Sequence, residues 1–328
     1  MKAYIVEQAG GIEVLQLKDI SSKAPNADEV QIRVRAFGVN RAEIYRRAGN
    51  MGEITAPVVL GIEAVGEVIH DPAGVFQVDE KVATAMGGLQ FTRHGSYAEE
   101  VTVLRSNVIS LKDTTLPWRE LAALPEAYLT IWGALVKTLK VQVGQTILIR
   151  GATSSVGLAA VAYAKSLGLR VIATTRNEAN RARLHTIGAD VTIVDNGAIA
   201  DLVKAVVPSG VDVALEVVGA STLKDTIKAV KPFGAVTVIG LLGGAPVLSD
   251  FHLMQDLPTA VQLSFFPSGL IGTSALPLTD NPLVEIAHQI AAGHIPSIVT
   301  QVLPFSEVRQ AHTMIENNQV LGKLVIEV

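Results

Sequence analysis

The residues best suited to chemistry lie in Thr146-Ile147-Leu148-Ile149-Arg150-Gly151-Ala152-Thr153-Ser154-Ser155-Val156-Gly157-Leu158-Ala159-Ala160. An apolar run, a cluster of small residues and a helix-forming tail read as strand, tight turn and helix start. Small residues let the backbone approach a ligand closely, and amides exposed at a helix N-terminus point at negative charge. The chemistry is pyrophosphate binding, and Ala152, Thr153, Ser154, Ser155, Val156 and Gly157 are its candidate residues. Against the usual G-x-G-x-x-G, Ala152 and Ser154 replace the first two glycines and Gly157 keeps the third.

A second constellation follows the next apolar strand. Units selective for NAD place an Asp or Glu there, about twenty residues past the glycine turn, to accept from the ribose 2′-hydroxyl. This chain has Thr174-Thr175-Arg176-Asn177 instead. No carboxylate stands where it would repel a 2′-phosphate, and the Arg176 guanidinium is a planar donor fork that suits one. Thr175, Arg176 and Arg181, the last directed back by the first turns of the following helix, are therefore expected to select NADPH. The competing account makes both arginines solvated helix-surface residues. Val218, Gly219 and Leu241, which follow later strands, are further candidate cofactor contacts.

Positioning these residues requires strands alternating with helices, and the sequence supplies them. Arg170 to Thr175 is a strand, Glu178 to Ile187 a helix stopped by Gly188, and Val191 to Val194 a strand again. Ala198 to Val206 is a helix, Val211 to Val217 a strand, Ala220 to Val230 a helix and Ala235 to Gly240 a strand. Val261 to Ser268 reads as a sixth, edge strand. The pattern is that of a doubly wound parallel α/β sheet.

Residues before about 125 read differently, as short alternating strands and glycine turns. Val30, Ile32, Val34 and Ala36 alternate with Gln31, Arg33 and Arg35, as a half-buried strand should. Arg41 to Ala48 is a two-turn helix with Asn40 as N-cap and Gly49 as stop. Gly61 and Gly66 are spaced for close backbone approach or a bulge. Leu116 to Leu124 looks helical, and Pro125 introduces a longer helix from Glu126 to Leu139. Helices at Pro282 to Ala292 and Ser306 to Asn317 and a strand at Lys323 to Val328 form a tail too small for a domain. It is expected to rejoin the first one. The expected domains are thus 1–125 with 271–328, β-rich, and 126–270, nucleotide-binding.

At 328 residues the chain can build two ordinary cores. A formal charge of -4 without any run of Lys or Arg argues against a nucleic-acid surface. The opening MKAYIVEQAGG has no apolar h-region and no uncharged stretch suits a membrane span, so a cytoplasmic protein is expected. The absence of cysteine excludes disulfides, thiolate catalysis and cysteine-ligated zinc.

Taken together, these segments resemble the medium-chain dehydrogenase/reductase superfamily, and within it the zinc-independent, zeta-crystallin-like quinone oxidoreductases. The likeness is carried by Gly38-Val39-Asn40 with Tyr45 and Arg47, by Leu60-Gly61-x-Glu63-x-x-Gly66-x-Val68 and by Gly95-Ser96-Tyr97-Ala98-Glu99. It continues through Leu129-Thr130-x-Trp132-Gly133-Ala134-Leu135, the small-residue turn and Gly322-Lys323-Leu324-Val325. The resemblance implies a GroES-like β-rich catalytic domain beside a Rossmann domain. It also implies metal-independent, NADPH-linked reduction of a quinone or other α,β-unsaturated carbonyl, and a homodimer formed through the Rossmann edge strands. Zinc enzymes of the superfamily carry a catalytic cysteine where this chain has Asn40-Arg41-Ala42-Glu43, a histidine where it has Ile62, and a four-cysteine lobe that is missing. Met51 stands where many relatives have a tyrosine. Rival readings are an enoyl-thioester reductase and a NADPH-binding protein with a non-enzymatic role.

Two residues are catalytic candidates. Tyr45 matches a cleft tyrosine of the resembled family and could hydrogen-bond or protonate a substrate oxygen; equally, it could be an amphipathic helix residue with a wet hydroxyl. Asn40 could reach cofactor or substrate, cap its helix, or both. The resemblance gives Thr130 a contact with the nicotinamide end of the cofactor. Glu63 reads as a structural carboxylate and Lys323 as a solvated lysine beside a turn. None of the histidines shows metal-ligand spacing. Met51, Phe91, Phe265 and Phe266 are candidate apolar lining of the substrate site.

Overall fold

Alternation along the N-terminal segment becomes strands β1 (Lys2–Val6), β2 (Gln16–Asp19), β3 (Glu29–Val39), β4 (Val58–Val59), β5 (Glu63–His70), β6 (Lys81–Ala85), β7 (Glu100–Leu104) and β8 (Val108–Ser110). The computed structural model describes residues 1–257 and 259–328, in two units: 1–129 with 269–292 and 299–328, and 130–268 with 293–298. In β3, Val30, Ile32, Val34 and Ala36 are buried while Arg33 between them is exposed. β3 pairs antiparallel with β5, and the register breaks between Val34 and Ala36 opposite Gly66. A Cβ on Gly66 would lie 1.9 Å from the Arg33 carbonyl oxygen, so the bulge admits only glycine. Helix α1 (Arg41–Arg47) leaves the end of β3 directly, α2 (Trp118–Leu121) is a single turn after Pro117, and α3 (Pro125–Trp132) follows.

The second unit begins with β9 (Thr146–Arg150), α4 (Ser155–Ser166), β10 (Arg170–Thr175), α5 (Arg181–Ile187) and β11 (Val191–Val194). It continues with α6 (Ala200–Val206), β12 (Val211–Glu216), α7 (Ala220–Lys228), β13 (Val230–Val238), the short α8 (Leu253–Asp256) and β14 (Gln262–Phe265). The sheet order is β11-β10-β9-β12-β13-β14 with every neighbouring pair parallel. This is the Rossmann order, which opens a ligand crevice at the carboxyl ends where the order reverses beside β9. Ile147, Leu148 and Ile149 are all fully buried because helices cover both faces of a parallel sheet. One core cluster joins Leu148, Ile172, Ala214 and Val236 of the sheet to Val203 of α6 and Leu223 and Ile227 of α7.

The tail supplies α9 (Leu283–Ala291), β15 (Val299–Pro304), α10 (Val308–Glu316) and β16 (Lys323–Glu327). β16 runs antiparallel to β3, from Leu324 opposite Val39 to Glu327 opposite Ala36, and β15 lies parallel outside it. The first unit thus holds a sheet ordered β15-β16-β3-β5-β6-β8, with β7 also on β3, and a three-stranded sheet β2-β1-β4. The fold class is α/β, a GroES-like β-rich unit and a doubly wound Rossmann unit. No helix among the described residues is long and apolar enough to cross a membrane.

Several boundaries differ from the sequence reading. The division between units falls after Leu129, inside α3, and residues 293–298 go with the nucleotide unit, where Arg183 donates to the Ser297 carbonyl. The long helix from Glu126 ends as α-helix at Trp132 and widens into a π-helix over Gly133–Thr138. A Cβ on Gly133 would sit 2.2 Å from the Phe266 ring, so the aromatic fills the space that a side chain would need. The helix expected from Glu178 opens with a 3-10 turn because the Asn177 side chain accepts from Ala179 N–H. The largest departure is Lys323: expected in solvent, it is completely buried.

Candidate active site

In the nucleotide unit, the chain leaves β9 at Arg150 and turns at Gly151, whose N–H donates to Thr174 Oγ1 at 3.2 Å. Ser154 is the N-cap of α4: its Oγ donates to the Gly151 carbonyl at 3.0 Å and accepts from Gly157 N–H at 3.1 Å. That leaves the N–H groups of Ser155 and Val156 without a partner among the described residues. First-turn N–H groups in this state are anion receptors. A Cβ on Gly157 would lie 2.4 Å from the Gly151 oxygen, so the turn and helix meet as closely as backbone permits. Ala152 is fully buried, whereas Thr153, Ser154, Ser155 and Val156 are half-buried along the rim. The turn fits a pyrophosphate.

At the end of β10 the two arginines part company. Arg176 is exposed and makes no hydrogen bond or ion pair with the described residues. Arg181 instead turns inward: its Nε and Nη2 donate to Thr192 Oγ1 and the Thr192 carbonyl at 2.8 and 3.0 Å, and Nη1 to Glu178 at 2.6 Å. Its fork is spent on packing α5 against β11, which leaves Arg176 as the donor at the strand end. Thr175 is buried, its hydroxyl exchanging hydrogen bonds with the Asn177 backbone. Beyond β12, the Val218 and Gly219 N–H groups both donate to the Glu216 carboxylate, at 2.7 and 3.0 Å. Leu241 is half-exposed beside them, its Cα 3.2 Å from where a Gly219 Cβ would stand. Thr130 is buried on α3.

The β-rich unit holds a buried charge cluster. Asn40 caps α1, and the Glu43 carboxylate reaches back to the Asn40 N–H at 2.8 Å, one half of a capping box. Asn40 Nδ2 donates to Glu63 at 2.8 Å and to Glu43 at 3.2 Å, while its Oδ1 accepts from Lys323 Nζ at 2.6 Å. Lys323 Nζ also donates to Glu63 at 2.5 Å, and Glu63 accepts from the Glu126 N–H at the start of α3 at 2.7 Å. Glu43, Glu63 and Lys323 are each fully buried. Burial pushes the Glu43 carboxyl up to about 8, against the pull of the N–H groups it accepts from. Burial also works against the Lys323 charge, but Glu63, Glu126 and Glu43 outweigh it and hold its pKa above the usual value. Both carboxamide N–H groups of Asn40 are therefore committed inside the protein. Tyr45, five residues along on α1, is half-exposed between buried Ile44 and Arg46.

Sequence reasoning misses Glu43, Arg150 and Glu216, all fully buried. For the last two a signal exists: each is a charged residue closing an otherwise apolar core strand. Of the apolar lining candidates, Phe266 is buried against Gly133, Phe265 is exposed on β14, Met51 is exposed, and Phe91 lies 5.5 Å from the Arg46 guanidinium. Arg46 itself is bonded to the carbonyls of Gln90, Met51, Gly52 and Glu53, fixing the loop after α1.

A Rossmann turn that fits a pyrophosphate, in a chain that also carries a GroES-like β unit, is the frame of an oxidoreductase. Residues 26–113 match the family described as alcohol dehydrogenase GroES-like domain, and residues 155–275 the family described as zinc-binding dehydrogenase. The chain thus carries domains of the medium-chain dehydrogenase/reductase superfamily. It is 26% identical to a quinone oxidoreductase of Homo sapiens over 99% of this chain and 97% of that protein. It is 28% identical to a 2-haloacrylate reductase of a Burkholderia species over 99% of this chain and 98% of that protein. The crystal structure of an Escherichia coli quinone oxidoreductase complexed with NADPH matches all of both chains with a TM-score of 0.87 at 23% identity, a likeness of fold. The zinc in one family description meets a chain with no cysteine. Among the described residues, no group of three or more His, Asp or Glu side chains is placed to hold a metal ion.

Proposed function

We propose that this protein is a metal-independent, NADPH-dependent reductase of quinones or other α,β-unsaturated carbonyl compounds. The observation that carries the cofactor is the pairing of the Ser154–Gly157 cradle with an uncommitted Arg176 where NAD-selective units hold a carboxylate. The cofactor supplies the hydride; the chain's own residues align it and meet the charge that develops on the acceptor. Tyr45 is the group assigned to that oxygen, as hydrogen-bond donor. Asn40, saturated by Glu43, Glu63 and Lys323, shapes the start of α1 and does not touch substrate. Thr130 is assigned to the nicotinamide end. The substrate class is supported by likeness along the whole chain to reductases of quinones and of a halogenated acrylate. A homodimer through β14 is supported by that strand's place at the sheet edge with Leu263 and Phe265 exposed on it.

The purified protein, incubated with NADPH and a panel of quinones, enones, enoyl thioesters and aldehydes, should oxidise the cofactor with quinones or enones. A chelator should leave the rate unchanged, and light scattering on the same sample should give a dimer mass. Turnover with enoyl thioesters alone would move the assignment to that class, and binding without turnover would overturn it.

Two substitutions resolve the site further. Charge-assisted hydrogen bonds contribute about 1.5 to 3 kcal/mol each, so NADPH should be preferred over NADH by at least ~tenfold in kcat/KM. Arg176→Ala should abolish most of that preference while sparing NADH turnover. Equal use of both cofactors by the unaltered protein would refute the role. Tyr45→Phe should lower kcat by about ten- to a hundredfold at ~1.4 kcal/mol per factor of ten. Unchanged kinetics would assign the ring to packing.

A further inference from the structure

A carboxylate in the core of a parallel sheet needs a reason, because burying it without partners costs several kcal/mol. Glu216, the last residue of β12, is fully buried after the apolar run Val213-Ala214-Leu215. One oxygen accepts from the Val218 and Gly219 N–H groups at 2.7 and 3.0 Å. The other accepts from Thr226 Oγ1 of α7 at 2.5 Å, and that hydroxyl accepts from Arg150 Nη1 at 3.1 Å. Arg150 closes β9 and is itself fixed, by two bonds of 2.8 and 2.9 Å to Asp195 and one of 2.8 Å to Asp225. The carboxylate therefore ties the loop after β12 to the rigid end of β9, next to the pyrophosphate turn.

The loop it holds has no freedom to spare. Gly219 has φ +106°, and a Cβ there would meet the Gly240 oxygen at 2.8 Å. Gly243 N–H donates to the Val218 carbonyl at 2.8 Å, so the loops after β12 and β13 lock together. With both N–H groups turned inward, the loop offers a ligand the half-exposed Val218 side chain. A doubly wound unit of this order takes a dinucleotide across the point where the order reverses, so on the NADPH reading β9 to β11 would take the adenine half and β12 to β14 the nicotinamide half.

Resting on the NADPH reading above, we infer that Glu216 is a positioning residue for the nicotinamide half of the cofactor, presetting the Val218–Gly219 loop by holding both of its N–H groups. It acts through the loop and not by contact. The test compares two ligands, NADPH and adenosine 2′,5′-bisphosphate, which carries the adenine half alone, by calorimetry on the full-length protein. Glu216→Ala should weaken NADPH by at least ~tenfold, the equivalent of one or two lost charge-assisted bonds, and leave the bisphosphate within about twofold. Glu216→Gln keeps an acceptor oxygen for the two N–H groups and should recover most of the loss. In the cofactor-free proteins, hydrogen exchange at Val218 and Gly219 should quicken in the Ala variant and not in the Gln variant. If the Ala variant does not fold, Thr226→Val, which frees the second carboxylate oxygen, should show the same selective loss on a smaller scale. Unchanged NADPH affinity, or equal loss of both ligands, would overturn the inference. Failure of the unaltered protein to bind either ligand would instead overturn the NADPH reading on which it rests.

Discussion

Lys323→Met is expected to lower the stability of the protein by about 3 to 5 kcal/mol, the usual cost of removing one partner from a buried ion pair. The ammonium is fully buried and donates to both Glu63 and Asn40 Oδ1. Without it, Glu63 keeps only the Asn40 amide and the Glu126 N–H, two dipoles in place of a charge. The loss is therefore larger than that of one hydrogen bond. Urea unfolding followed by circular dichroism gives the number, read as a shift in midpoint at constant slope. Adding Glu63→Gln to the variant should restore part of the stability, because the neutral amide still accepts a hydrogen bond and no longer needs a counter-charge. A change below about 1 kcal/mol in the single variant would mean that water reaches the pair.

How much of this site can be read from the sequence depends on how far apart the partners lie along the chain. The Rossmann unit is legible because its signals are local: each strand, turn and helix start is written within a dozen residues, and Gly157 marks its own turn. The cap at Asn40 is legible for the same reason. The cluster behind it is not, because Lys323 lies 260 residues from Glu63 and 283 from Asn40, and only the pairing of β16 with β3 brings them together. A lysine after a glycine near a chain end carries no local mark of burial. Arg181 is misleading for a related reason. Its spacing from the glycine turn suits a phosphate, but Thr192 on the neighbouring strand takes its fork, and strand pairing is not written in the helix that bears it. Arg150 and Glu216 fall between these cases. Their position at the ends of apolar runs is local, while their partners Asp195, Asp225 and Thr226 follow from the topology.

The other large effect is expected at the pyrophosphate turn, where stability and binding should respond differently. A methyl group at position 157 would meet the Gly151 oxygen at 2.4 Å and the Ala152 Cα and carbonyl carbon at 2.8 Å. All three are backbone atoms of the turn, so no rotamer change can relieve the contact and the turn itself must move. Overpacking of this kind typically costs about 1 to 3 kcal/mol. Against it stands the helix preference of alanine over glycine, about 1 kcal/mol in the first turns of α4. The net change in stability should therefore be small, of the order of 1 kcal/mol. Binding has no such offset. The Ser155 and Val156 N–H groups are aimed by the Ser154 cap, whose Oγ holds both Gly151 and Gly157, and displacing Gly151 turns the whole cradle. At ~1.4 kcal/mol per factor of ten, Gly157→Ala should weaken NADPH by about ten- to a hundredfold in a fluorescence titration while the urea midpoint moves little. Intact NADPH affinity would show that the cradle does not depend on this close approach, and the pyrophosphate would then have to be held elsewhere on the unit.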